Sequence, residues 1–485
     1  METNSIVGLP PLPPQLVAVL ASNIDGRLNN VLFRQKQMRR LHGCIVNNMD
    51  DIRASIVEDY GHSPEEVQTE LCLALQEVHT HFASLDLKHD LQSEYLVAHG
   101  EDNWKATRGA GIIYIIPTTH TLFYSVIAAL SASIAAGNCT IIELQKSSSR
   151  TSFLLWNILT DALDNDILAV CEERPSLSFL QNTLVVAQRR LDDLAAEGLR
   201  VLIPQDERVA AIVDRTANVD EAAAGLVMSR FAFGGRSPYA PDIVLVNEFC
   251  LGRFIEAVIK HAAAWMRSGS LSQDACIVTG QKKLRSLLDG VAPEDGVQTI
   301  VSGDDWGVVQ IRNRNSPLLQ RKFEGKFLIL HAVSSLDDAI NFSNSKDNHA
   351  TYTFARLDAA KYVSESIISQ AAWINHVPFH MLLGPALPHS RPLSPSSRYT
   401  ANLFRVPHPK IVHPTVDSAL VKSILLPSAA AGEKTLQKLL SSPPEVEQRP
   451  GHRVGFFEQG LISGTSVVLS FIICVSMMGV RFLRS

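Results

Sequence analysis

The sequence predicts an α/β protein built from two parallel-sheet lobes and ending in a C-terminal transmembrane helix. Three observations predict it. Strand-like and helix-like runs alternate from Gly111 to Val377, the pattern of parallel sheets wound with helices. A glycine turn, Gly234-Gly235, follows a helix-like run and leads through Ala240-Pro241-Asp242 into the apolar strand Ile243 to Val246. Near the end, Leu461 to Val480 runs for 20 residues without a charge.

Composition sets the bounds. At 485 residues the chain exceeds one compact core and divides into several domains. With 46% hydrophobic and 19% charged residues it has the make-up of a globular protein. A net charge of -5 gives no reason to expect a nucleic-acid partner. The seven cysteines form no CxxC pair and no zinc spacing, so no metal site is expected. Scattered single thiols suit a reducing compartment. The N-terminus has no basic region leading into an apolar core, so no signal peptide is read there.

In chain order, a proline-rich entry precedes helical periodicity from Leu41 to Leu87. Within it, Ser63-Pro64-Glu65-Glu66 reads as a helix start, with Ser63 as N-cap and Pro64 at the first helical position. Gly111 to Ile116 reads as a buried strand, Thr121 to Ala136 as a small-residue helix and Cys139 to Leu144 as a second strand. Leu154 to Leu163 reads as helix and Leu184 to Ala187 as strand. A second lobe follows, with helices at Phe254 to Met266 and Leu336 to Phe342. Its strands are expected near Val308 to Ile311, Phe327 to Leu330, Tyr352 to Ala355 and Trp373 to Val377.

The connecting segments resemble the aldehyde dehydrogenase superfamily. The resemblance spans roughly residues 25 to 415. It is carried by the 229–246 segment, Gly111 to Pro117, Ala135-Ala136-Gly137-Asn138, Ser335 to Ile340, and Trp373-Ile374-Asn375. It implies an aldehyde-dehydrogenase-like fold with a small bridging β element. The implied domains are a helical part at 1–110, a Rossmann-like cofactor-type domain at 111–203 and a catalytic-type domain at 204–380. A bridging or oligomerisation segment at 381–427, a linker at 428–460 and a tail anchor at 461–480 complete the chain.

The same resemblance locates the chemistry, and most of it is altered. Pro238 stands at the position of the nucleophilic cysteine, beside Ser237. His120 stands where the family has an oxyanion-stabilising asparagine. Glu143 replaces a lysine that contacts the cofactor ribose, and Lys322 replaces a glutamate that holds the second ribose. The family cradles pyrophosphate on a glycine turn at a helix N-terminus, yet no glycine occurs between Gly137 and Gly198. The Glu-Leu-Gly-Gly segment that supplies a base reads Ile203-Pro-Gln-Asp-Glu-Arg208 here, leaving Glu207 as a base only in a rebuilt loop.

Each residue also has a plain reading. His120 sits in a threonine-rich turn, and Ser237 before proline initiates a turn. Arg236 is a loop tip or an anion contact. Glu207 is a surface charge, and Cys276 is packing. The expected protein is a membrane-anchored relative that acts on or binds a lipophilic aldehyde or metabolite. It is a pseudoenzyme or scaffold, with NAD or NADP as cofactor only if the family activity survives. The alternatives are an active oxidoreductase with a rebuilt site, or a repurposed non-redox enzyme.

The 428–460 stretch has linker composition, with one short helix expected at Glu433 to Leu440. The 20 uncharged residues after it would span roughly 30 Å, a bilayer core. A tail anchor there resembles the fatty aldehyde dehydrogenase branch. It implies a cytosolic domain, with the endoplasmic reticulum favoured, and a homodimer or a partner enzyme as protein contact.

Overall fold

The computed structural model describes residues 12–191, 198–205, 207–268, 296–303, 305–388, 393–425, 436–437, 439–444 and 455–484. Residues up to Val412 form one compact unit and His413–Ser485 a second. Cys276 and half of the expected helix at Glu433 to Leu440 lie outside the described residues.

In the first unit, β1 (Thr107–Gly109) precedes two large sheets. The first sheet holds β2 (Ile112–Ile116), β3 (Cys139–Glu143), β4 (Leu168–Cys171), β5 (Leu184–Ala187) and β6 (Arg200–Leu202). Its order is β4-β3-β2-β5-β6, and every pair is parallel. The second holds β7 (Arg208–Val213), β8 (Ile243–Asn247), β9 (Val297–Ser302), β10 (Trp306–Ile311), β11 (Lys326–Val333), β12 (Asn348–Phe354) and β13 (Ser369–Ile374). Its order is β13-β12-β7-β8-β11-β10-β9, with only β9 antiparallel. A short sheet pairs β1 with β14 (Arg405–Pro407).

The expected α/β alternation is therefore present in two sheets. All five residues of β2 are buried, as a continuous apolar run between covered faces should be. Helix Leu122–Ala136 is buried along its whole length, which its Ala and Ser content permits by close approach. Gly137 ends it in the left-handed region, and Asn138 ties the corner together. The Asn138 side chain accepts from Gly111 N–H at 2.8 Å and donates to the Phe404 carbonyl at 2.9 Å. Of the strands that the sequence pattern did not single out, β7 is central, six buried residues between β12 and β8, and the others are short or peripheral. β4 and β6 have four and three residues, and β9 is an exposed edge.

In the second unit, helix Phe456–Arg484 contains the stretch expected to be a transmembrane span. Its side chains beyond residue 473 fall outside those described. Among the described residues, no helix is long and apolar enough to cross a membrane.

The Gly234-Gly235 turn has a steric cause. Gly235 adopts φ 65°, and a Cβ there would lie 2.1 Å from the Gly325 carbonyl oxygen and 2.8 Å from that of Arg230. The backbones also bond, Gly325 N–H to Gly235 carbonyl at 3.0 Å. Gly61 has nearly the same φ, +64°, with nothing within 4 Å of its missing Cβ. Gly61→Ala should thus cost only the left-handed backbone penalty of about 1–2 kcal/mol. Gly235→Ala must also push two backbones apart and should cost roughly 4 kcal/mol or more. Equilibrium unfolding of the two variants checks this ordering.

Candidate functional site

Two of the segments that the resemblance marks as chemical, those of His120 and of Ser237 and Pro238, meet around one loop, residues 378–388. His120 Nε2 lies 2.8 Å from the Leu382 carbonyl oxygen. A carbonyl only accepts, so Nε2 carries the proton and donates. Next to it, Gly384 N–H donates to Thr121 Oγ1 at 2.7 Å, and Leu387 N–H to Tyr239 Oη at 3.4 Å. One loop thus binds both the His120 segment and the segment carrying Ser237 and Pro238. Leu382, Leu383 and Leu387 are buried in it.

His120 is buried, with its ring edge-on to Phe233. Burial lowers its pKa to about 4, with the charges of Arg236 and Arg398 acting the same way. It is a neutral group held to a main-chain carbonyl. Ser237 is buried too, and its Oγ accepts from Tyr239 N–H at 3.2 Å while its carbonyl accepts from Ala240 at 3.1 Å. That is a hydroxyl-capped turn around Pro238. Among the described residues no hydrogen bond joins His120 to Ser237. Arg236 lies against Tyr60, with Nη2 3.5 Å from the Tyr60 carbonyl oxygen and its guanidinium over the ring.

On the cofactor-type sheet, Glu143 ends β3. It accepts from Tyr114 Oη at 2.6 Å and pairs with Arg174 Nε at 3.2 Å. The carboxylate that stands where the resemblance implies a lysine therefore has a cation of its own. Beyond β5, Gln188 is buried where the family has its glycine turn. Its N–H donates to the Ile116 carbonyl at 2.8 Å, its Nε2 to the Ser125 carbonyl at 2.8 Å, and its Oε1 accepts from Thr118 N–H at 3.3 Å. A pyrophosphate needs free N–H groups and no side chain at such a turn. The residues present at Gln188 do not fit one.

Glu207 and Lys322 are together elsewhere, at the N-terminal end of β7. Lys322 Nζ donates to the Glu207 carbonyl at 2.8 Å. Both line a cavity of about 420 Å³.

A buried polar group beneath His120 escaped the sequence analysis. Helix Pro64–Ala83 turns Glu70 and Glu77 inward with Val67, Leu71, Ala74 and Val78. Glu70 is fully buried and accepts from Tyr124 N–H at 3.2 Å, at the N-terminus of helix Leu122–Ala136. His62 Nδ1 lies 3.9 Å from its other oxygen. Glu77 accepts from Tyr124 Oη at 2.9 Å and from Arg398 N–H at 2.6 Å. The signal was available: both acids fall on the apolar stripe of the helix, seven residues apart. Glu66 links this helix to the turn as well. It closes a capping box with Ser63, the expected N-cap, and accepts from Phe233 N–H at 2.6 Å.

The fold and these segments define an aldehyde-dehydrogenase-like scaffold, and the chain is similar in sequence to aldehyde dehydrogenases. It is 22% identical over 371 residues to mouse aldehyde dehydrogenase family 3 member A2, covering 68% of this chain and 73% of that one. It is 23% identical over 389 residues to the 4,4'-diaponeurosporen-aldehyde dehydrogenase of Staphylococcus aureus, covering 74% and 83%. Beta-apo-4'-carotenal oxygenase of Gibberella fujikuroi is 22% identical over 362 residues, covering 67% and 64%. Among solved structures, substrate-bound Staphylococcus aureus AldH superposes with a TM-score of 0.69 at 18% identity, over 88% of this chain and 99% of that one. No family profile matches the chain.

Glu70 makes a testable pH dependence. Burial pushes its pKa up to about 7 from an ordinary 4.5, against the N–H bonds from Tyr124 and Phe123. Between those values the folded chain holds a proton that the unfolded chain has released, so this group's contribution to stability falls as pH rises. His62 and His120, lowered to about 3 and about 4, act oppositely below pH 6.5. Comparing Glu70→Gln with the parent isolates the carboxylate. The variant should gain on the order of 3 kcal/mol relative to the parent between pH 5 and pH 8, read from unfolding midpoints at each pH.

Proposed function

We propose that this protein is a membrane-anchored member of the superfamily that binds a lipophilic aldehyde or related metabolite without thiol-dependent NAD(P) oxidation. One observation carries the reading. The nucleophile position is Pro238, enclosed in a turn capped by Ser237, and the phosphate turn is closed by the side chain of Gln188. Thiol attack and hydride acceptance need both positions open. Two relatives carry names that specify aldehydes of carotenoid type. A homodimer or a partner enzyme is the protein contact that such a scaffold serves.

Residues 461–480 act as the tail anchor in this reading, with the folded part on the cytosolic side and the endoplasmic reticulum as the membrane. The support is the uncharged sequence within helix Phe456–Arg484. Deleting residues 456–485 should release the protein from membranes that retain the full chain through alkaline carbonate extraction. A truncated chain that stays in the pellet would remove the anchor.

The cofactor test uses the full chain in detergent, titrated calorimetrically with NAD and NADP and melted at millimolar cofactor. A ligand at a hundredfold its Kd stabilises the folded state by about 2.7 kcal/mol. No heat and no shift are expected, and no acid should form from hexadecanal. A clear shift together with turnover would establish the active oxidoreductase in place of this reading.

A further inference from the structure

The cavity at Glu207 and Lys322 has a chemistry unlike that of the leucine-lined loop. It opens at the N-terminal ends of the adjacent strands β7 and β12, and its volume, about 420 Å³, suits a small ligand. Its lining includes three cations, Arg208, Lys322 and Lys346, two acids, Glu207 and Asp347, and the amide of Gln320.

Carbonyl oxygens aim the cations. Arg208 donates to the carbonyls of Leu319, Phe342 and Ser343 at 3.1, 3.0 and 2.7 Å. Lys346 Nζ donates to the Gln320 carbonyl at 3.1 Å, as Lys322 Nζ does to that of Glu207 at 2.8 Å. Carbonyl dipoles orient a cation without cancelling its charge, so the lining keeps a net positive charge against its two acids. Gln320 Oε1 is buried and has no hydrogen-bond partner, so it is an acceptor suited to a ligand hydroxyl. The donors therefore call for an anion and the orphaned acceptor for a hydroxyl.

We propose that this cavity binds a small hydroxylated anion, a phosphate ester or a carboxylate of a polyol. Its anionic group lies against Lys322 and Lys346, and a hydroxyl donates to Gln320 Oε1. The assignment rests on the proposed function only in taking Lys322 as released from the cofactor ribose that the resemblance places there. A lysine at position 322 also reverses the charge that the resemblance places there.

The full chain in detergent would be titrated with glycerol 3-phosphate, gluconate and neutral glycerol. Either anion should bind and glycerol should not; the stronger of the two identifies the anionic group. Lys346→Glu, at an exposed position, should weaken that binding at least roughly tenfold with an unchanged melting midpoint. Gln320→Leu should weaken it as well while leaving the charge in place. No binding of either anion at about 10 mM, or equal affinity in Lys346→Glu, overturns the inference alone. NAD binding that persists in Lys346→Glu overturns the proposed function and leaves this site standing.

Discussion

Asp242 holds the molecule's organising junction. Buried at the start of β8, it accepts from Val209 N–H at 2.8 Å and Phe323 N–H at 3.2 Å, and pairs with fully buried Arg230 at 3.4 Å. Arg230 in turn donates to the Phe323 carbonyl at 2.7 Å. One carboxylate therefore joins β7, the end of helix Val219–Phe231, β8 and the 322–326 loop. The close approach of Gly235 to Gly325 follows, because the two loops are drawn to the same point. Everything presented by the turn, from Phe233 to Tyr239, takes its position from this junction.

That junction fixes the path of the turn whatever residue stands at the position that the resemblance marks for the thiol. Pro238 and Ser237 sit in a turn whose ends are fixed by Phe233 and Tyr239, so the segment keeps its path with no thiol. Phe233 itself has φ 52°, a conformation unfavourable for an aromatic residue. The N–H bond to Glu66 and the rings of His62 and His120 hold it there. On the other sheet, Gln188 and the Glu143–Arg174 pair are likewise internally satisfied. The altered positions have partners of their own, as parts of a settled structure do.

How far the sequence could be read depended on where the deciding partner lay. Elements specified locally were legible. The β2 strand is a continuous apolar run, Ser63 and Glu66 close a box three residues apart, and Gly137 ends its helix. The positions that the resemblance marks as substituted were countable from nearby landmarks such as Gly137-Asn138 and Ala240-Pro241-Asp242. Their present roles were not legible. His120 is defined by a carbonyl 262 residues away and Gln188 by one 63 residues away, distances at which no spacing rule operates. Glu70 and Glu77 are hidden for another reason: they lie on the apolar stripe of their helix, and a period of apolar residues does not count the acids that share it.

The buried charges at the junction carry a thermodynamic implication. A fully buried arginine–carboxylate pair is seldom a net gain over well-packed apolar side chains, whereas losing one partner strands the other charge at roughly 3–5 kcal/mol. Stability alone would favour replacing Arg230 and Asp242 together. What the pair supplies is direction: the Arg230 guanidinium and the Asp242 carboxylate grip Phe323 from both its carbonyl and its N–H, which fixes the neighbouring Lys322 at the rim of the cavity. A loop located so closely, beside a strand end whose Arg208 is itself held by three carbonyls, is costly to maintain for packing alone. It is an arrangement that would hold cations still around a polar ligand at the N-terminal end of β7.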